Sequence, residues 1–133
     1  MARPVFIEPA VNKDSGDCAI SCLVMWTGRT YPAVVAAAPP KAYKRGMSTR
    51  AIIETAGKLG TVLVQRRRFN LHEDDGILML SPVAPHTTDA HAVVLLDGKV
   101  LDPYNGRLWL DIDIYLATEH YKASALLVDE EGA

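Results

Sequence analysis

The stretch NKDSGDCAISCLVMWTG (Asn12–Gly28) sets an aspartate and a cysteine at the head of a run that is apolar from Cys18 to Trp26 except for Ser21. Asp17 is a good N-cap residue and Thr27-Gly28 ends the run as a helix C-cap would, so the spacing predicts a helix whose first residue is Cys18. A helix that is apolar on nearly every side has no solvent face and belongs in the middle of a core. Cys22 lies one turn deeper on the same helix.

Two more helices are expected after it. YPAVVAAA (Tyr31–Ala38) accepts Pro32 in its first turn, and STRAIIETAGKLG (Ser48–Gly60) has Ser48 or Thr49 as cap, Gly60 as stop, and Ile52, Ala56 and Leu59 on one face. The proline cluster between them, AAAPPKAYKRGMS (36–48), reads as a surface loop too short to divide domains. From Thr61 onward the pattern becomes that of strands: TVLVQRR (61–67), GILMLSP (76–82), HAVVLLDG (91–98), KVLDP (99–103) and RLWL (107–110), short, rich in Val, Leu and Ile, and bounded by Gly, Pro, Asn or Asp. The DGK at 97–99 signals a tight hairpin. A helix in DIDIYLATEHY and a strand in ASALLVD complete the chain. Helices first and an antiparallel sheet afterwards is the α+β pattern, with a buried central helix packed on a small sheet.

The 133 residues, 49% of them apolar, suit one domain spanning 1–133 with a core of its own. Fourteen basic against sixteen acidic residues leave a formal charge of -2, no field for gathering nucleic acid or an anionic membrane. No signal-peptide pattern opens the chain and no window approaches ~18 apolar residues, so a soluble, cytoplasmic protein is expected. Two cysteines one helical turn apart are poorly aimed for a disulfide, which leaves them for chemistry or packing. The basic run QRRRF (65–69) is balanced by HEDD (72–75) and reads as a solvated, salt-bridged surface.

A thiol at a helix N-terminus meets free N–H groups and the positive end of the helix dipole, which favour a thiolate. A thiolate nucleophile also needs a histidine, a polar group to orient that histidine, and donors for the oxyanion. His91 opens an apolar strand, and the hairpin turn brings Asp102, at the end of the return strand, alongside it. His72, His86 and His120 stand in polar contexts and read as surface residues. The bland account makes Cys18 a small core side chain, His91 a satisfied edge histidine and Asp102-Pro103 ordinary turn chemistry; the ordered set tips the balance to a site. Cys22 keeps the bland reading, packed and inert. A zinc site of Cys18, Cys22, His86 and His91 is a weaker alternative, because structural zinc prefers C-x-x-C knuckles in loops. Trp26, Trp109 and Tyr104 suit a core more readily than a substrate groove.

The first stretch resembles the catalytic-cysteine motif of the bacteriocin-processing, double-glycine-leader peptidases, a papain-like family also found at the N-terminus of peptide-exporting transporters. Asp17, Cys18, Cys22, Leu23, Met25 and Gly28 fit that motif. HAVVLLDGKVLDPYNG is similar to the family's histidine strand and Asp-Pro-x-x-Gly element through His91, Asp102, Pro103 and Gly106. The likeness runs in order from Asn12 to about Trp109. It implies a papain-like cysteine peptidase fold with Cys18 as nucleophile, His91 as general acid and base, Asp102 as orienting residue, and Asn12 as oxyanion donor beside the Cys18 N–H. Asn12 stands where the family has Gln, one methylene longer, and Ala19 where Gly is usual. The expected activity is thiol-dependent hydrolysis of an amide bond in a peptide or protein, leader-peptide processing among the options, with no metal or cofactor. Other amidase, deamidase or acyl-transfer chemistry on the same triad, or a peptide-binding module that does not cut, stay open.

Overall fold

A computed structural model describes residues 17–83, 90–104 and 106–130. The cysteine-bearing run is the helix α1 (Cys18–Thr27), and Ala19 through Leu23, Met25 and Trp26 are all buried along it. Gly28 ends the helix in the left-handed conformation (φ 73°), its N–H donating to the Val24 carbonyl at 3.0 Å, a stop that costs glycine no Cβ clash. Trp26 fixes the other end of the chain to this helix, donating its indole N–H to Asp129 at 3.2 Å. It is a core residue, not part of a groove.

Helix α2 (Tyr31–Ala37) starts on Thr30, whose hydroxyl accepts from the Ala33 N–H. The proline-rich segment expected as a loop contains a further helical turn, α3 (Ala42–Arg45), with Ala42 buried against α1. Composition hid it, because one buried alanine is too little periodicity to register. Helix α4 (Thr49–Lys58) is capped by the Ser48 hydroxyl accepting from Ala51 N–H at 3.1 Å. It closes on a Schellman pair, Gly60 N–H to Gly57 and Thr61 N–H to Ala56. Its face Ile52, Ala56 and Leu59 is buried as expected.

The second half forms β1 (Leu63–Arg66), β2 (Gly76–Pro82), β3 (His91–Leu96), β4 (Lys99–Asp102), β5 (Arg107–Trp109), helix α5 (Ile112–Glu119) and β6 (Tyr121–Asp129). The six strands make one antiparallel sheet in the order β1-β6-β2-β3-β4-β5. The chain is therefore α+β. Arg66, Arg67 and Arg68 are exposed at the β1 edge, a charged edge that resists pairing with other chains. Among the described residues they form no ion pair with the acidic segment, contrary to the expected salt-bridged surface. That segment is used elsewhere: Asp75 accepts from Asp97 N–H, and His72 pairs with Asp113 at 2.8 Å.

Strand alternation divides the apolar side chains between two faces. Ile77, Ala92, Val94 and Leu101 join α1–α4 in one cluster, while Leu78, Leu80, Val93, Leu95 and Val100 join Ile112 and Tyr115 of α5 in the other. Gly76 lies where β2 passes closest to β6: a Cβ there would run into the Leu127 carbonyl, with Leu126 Cδ1 at 3.2 Å. Backbone cannot give way as a side chain can, so Gly76→Ala is expected to destabilise the fold by ~1–3 kcal/mol, read from the urea midpoint at unchanged slope.

Candidate active site

Three elements supply the site. The hairpin between β3 and β4 turns on Asp97 (φ 53°) and Gly98 (φ 71°), the positive-φ pair of a two-residue type I′ turn. That turn sets the register Leu96↔Lys99, Leu95↔Val100, Val94↔Leu101. One step further, Asp102 falls opposite Val93, and His91 is its diagonal neighbour on the same face. The side chains meet there, with His91 Nε2 and Asp102 Oδ1 2.8 Å apart. Both are nearly out of water, at 11% and 6% side-chain exposure. By alternation this pair belongs to the α5 face, whereas Cys18 arrives from the helical face on the N-terminus of α1. They join at the end of the sheet, where Cys18 lies near enough to the imidazole to favour its cation. With Nε2 engaged by Asp102, Nδ1 is the nitrogen left for the thiol. Cys18, His91 and Asp102, singled out from the sequence, thus stand together; Asn12 and His86 lie outside the described residues.

The electrostatics of the three follow from their partners. Burial disfavours the imidazolium of His91, but the hydrogen bonds and charges of Asp102 and Cys18 outweigh it and raise the pKa from 6.5 to about 9. Burial likewise opposes an ionised Asp102, yet His91, the Tyr104 N–H and the Tyr115 hydroxyl hold its carboxyl below the usual 3.8. Cys22 contrasts with this. It is fully buried, and desolvation together with the charges of Cys18 and Asp102 pushes its thiol well above the ordinary value, which suits packing and not nucleophilic attack.

Asp17 is the N-cap by position but makes no side-chain cap bond. Its Oδ2 instead accepts from the Tyr31 hydroxyl at 2.6 Å, which ties α1 to α2. The first rung of the α1 ladder is Ser21 N–H to Asp17 C=O at 2.9 Å, so the N–H groups of Cys18, Ala19 and Ile20 stand outside the helical ladder and are not taken by the Asp17 carboxylate.

Two aromatic residues of the site went unread in the sequence. Tyr115, fully buried on α5, donates its hydroxyl to Asp102 Oδ2 at 2.8 Å. Tyr121, at the start of β6, stacks on His91 with ring centres 5.7 Å apart. Its placement depends on an irregularity between β2 and β6. The partners run Ile77↔Leu127, Leu78↔Leu126, Met79↔Ala125 and then Leu80↔Ala123, so Ser124 is an extra residue, and its hydroxyl bonds the Met79 carbonyl at 3.0 Å. Above the bulge, even-numbered Leu126 and Val128 face α5; below it, odd-numbered Ala123 and Tyr121 do. Without that bulge Tyr121 would point away from His91. The available signal was Tyr115 itself, one helical turn from Ile112, since a buried tyrosine must place its hydroxyl on a partner.

Tyr104 stands beside this network, 76% exposed, while its N–H donates to Asp102 Oδ1 at 3.0 Å. Trp109 packs its ring edge on Tyr115 and carries the Arg107 guanidinium over its face at 4.2 Å. Among the described residues no group of three or more His, Cys, Asp or Glu side chains is arranged to hold a metal ion, and no helix is long and apolar enough to cross a membrane. No protein-family model, curated protein or solved structure matches this chain.

Proposed function

We propose that the protein is a papain-like cysteine hydrolase that cleaves an amide bond in a peptide, with Cys18, His91 and Asp102 as its triad. The observation that carries the reading is the imidazole of His91, held on Asp102 at 2.8 Å with Cys18 beside it at the mouth of α1. The motif likeness to the bacteriocin-processing peptidases supports the same three roles and suggests peptides with a small-residue cleavage site as substrates.

In the proposed cycle the proton of the Cys18 thiol rests on His91, whose raised pKa favours the imidazolium. The sulfur attacks the scissile carbonyl carbon, and the oxygen takes the charge beside the unladdered N–H of Cys18. His91 then gives its proton to the departing nitrogen as the C–N bond breaks, leaving a thioester on Cys18 and a free amine. Water attacks the thioester while His91 takes its proton, and the released thiolate and carboxylic acid restore the starting state. Asp102 stays ionised throughout and fixes the Nε2–H tautomer.

Incubation with a pool of peptides from a proteome digest tests the reading. New peptide termini should appear with the wild-type chain and be absent with Cys18→Ala at equal fold content, as followed by mass spectrometry. Identical peptide pools for the two proteins would count against hydrolysis.

A further inference from the structure

Among the described residues the Asp102 carboxylate has three donors, divided unequally between its oxygens. Oδ1 accepts from His91 Nε2 at 2.8 Å and from Tyr104 N–H at 3.0 Å, and Oδ2 accepts from the Tyr115 hydroxyl at 2.8 Å. The last torsion of an aspartate is broad and nearly two-fold, so a carboxylate held at one oxygen only can swing out of line with the imidazole. We propose that Tyr115 is a positioning residue of the triad, its hydroxyl locking Asp102 in the rotation that presents Oδ1 to His91. This rests on the hydrolase reading for its consequence in catalysis, though not for its geometry.

Tyr115 is built for such a task. Its ring is fully buried, edge-on to Trp109 at 5.2 Å and nearly parallel to Tyr121 at 6.5 Å. Helix α5 is itself fixed to the hairpin that carries the other two residues. Asp111 caps it through the N–H groups of Asp113 and Ile114, and the Ile112 N–H donates to the carbonyl of Gly98 in the β3–β4 turn at 2.9 Å. The turn that aligns His91 with Asp102 therefore also sets where Tyr115 sits. Burial, then the charge and hydrogen bond of Asp102, then the charges of Tyr121 and Glu119 raise the Tyr115 pKa, so the hydroxyl keeps its proton and acts as a donor to the anion. The charged and titratable groups bearing on this carboxylate are His91 from β3, Cys22 from α1 and Tyr115 from α5, with Cys18 of α1 and Tyr121 of β6 bearing on the imidazole.

A tyrosine hydroxyl, unlike a backbone N–H, can also accept. In Asp102→Asn the amide oxygen can stay on His91 and the Tyr104 N–H, and the amide NH2 can donate to the Tyr115 oxygen, which preserves the His91 tautomer while removing the charge. A residue that merely fills the core would not rescue that substitution.

The test uses the full chain, iodoacetamide as probe of Cys18, and nitrogen chemical shifts of the His91 ring. In Tyr115→Phe, which keeps the ring and its stacking, the His91 titration midpoint is expected to fall by about one pH unit as its partner loosens. Asp102→Asn should slow Cys18 alkylation at pH 7 by about tenfold in the wild-type background and by on the order of 100-fold when Tyr115→Phe is present. If Tyr115→Phe fails to fold, Asp102→Asn alone still decides the matter: His91 should keep its proton on Nε2. An unchanged His91 midpoint with equal Asp102→Asn penalties in both backgrounds, or loss of the Nε2–H tautomer in Asp102→Asn alone, would overturn the proposal. A wild-type Cys18 no more reactive than Cys22 would instead defeat the hydrolase reading, while the His91 titration would still report on Tyr115.

Discussion

Replacing His91 by alanine is expected to lower peptide turnover by ~10²–10⁴-fold and to abolish its alkaline limb. The size follows from the double duty of the imidazole in the proposed cycle, where it would keep the proton that would otherwise return to sulfur and deliver it to the leaving amine. The pH dependence follows from the sign of its shift. His91 is raised from 6.5 to about 9 in the folded protein, so the folded state favours its cation. Wild-type turnover should therefore fall as the pH rises through about 9, where the leaving nitrogen loses its proton donor. Stability moves in the same direction: the contribution of the His91 cation is complete below about pH 6.5 and is lost as the pH passes about 9. The drop in thermal midpoint between pH 7 and 10 should be larger for the wild type than for His91→Ala. Asp102 acts at the other end of the scale. Its carboxyl is held below 3.8, so its contribution is present above that value and disappears only in stronger acid.

Exchanging the two cysteines for alanine in turn should separate chemistry from packing. Cys18→Ala is expected to reduce hydrolysis to background, because Cys18 is the nucleophile of the proposed cycle and a triad acts as a unit. Cys22→Ala should keep turnover within about twofold while costing ~1 kcal/mol of stability, since its sulfur is fully buried among apolar neighbours and its thiol is held protonated. The reverse pattern, activity surviving without Cys18 and vanishing without Cys22, would remove the thioester from the mechanism. Chain assays at constant fold content, checked by circular dichroism, distinguish lost chemistry from lost structure.

Much of this site was legible in the order of residues. The apolar run after Asp17 required a core helix with Cys18 at its mouth, and Asp97-Gly98 between two apolar runs required a hairpin that pairs His91 with Asp102 across it. Both inferences rest on local chemistry: a helix period, a turn that tolerates positive φ, a two-residue alternation. What stayed hidden depends on choices made far along the chain. Asp17 has every property of a cap, but the Tyr31 hydroxyl competes for its carboxylate, and propensity cannot weigh that competition. Tyr121 faces His91 because of one extra residue in β6, and no composition signal at Ser124 marks the bulge. Tyr115 reads as one more apolar position of a helix until its hydroxyl is seen on Asp102.

The central claim is that Cys18 is a nucleophile activated by His91, and alkylation by iodoacetamide near neutral pH, mapped by peptide mass spectrometry, tests it without knowledge of the substrate. Cys18 should be modified at least about tenfold faster than Cys22 in the folded wild type, and that advantage should collapse in His91→Ala. Equal rates at the two cysteines, or a Cys18 rate untouched by the loss of His91, would contradict it.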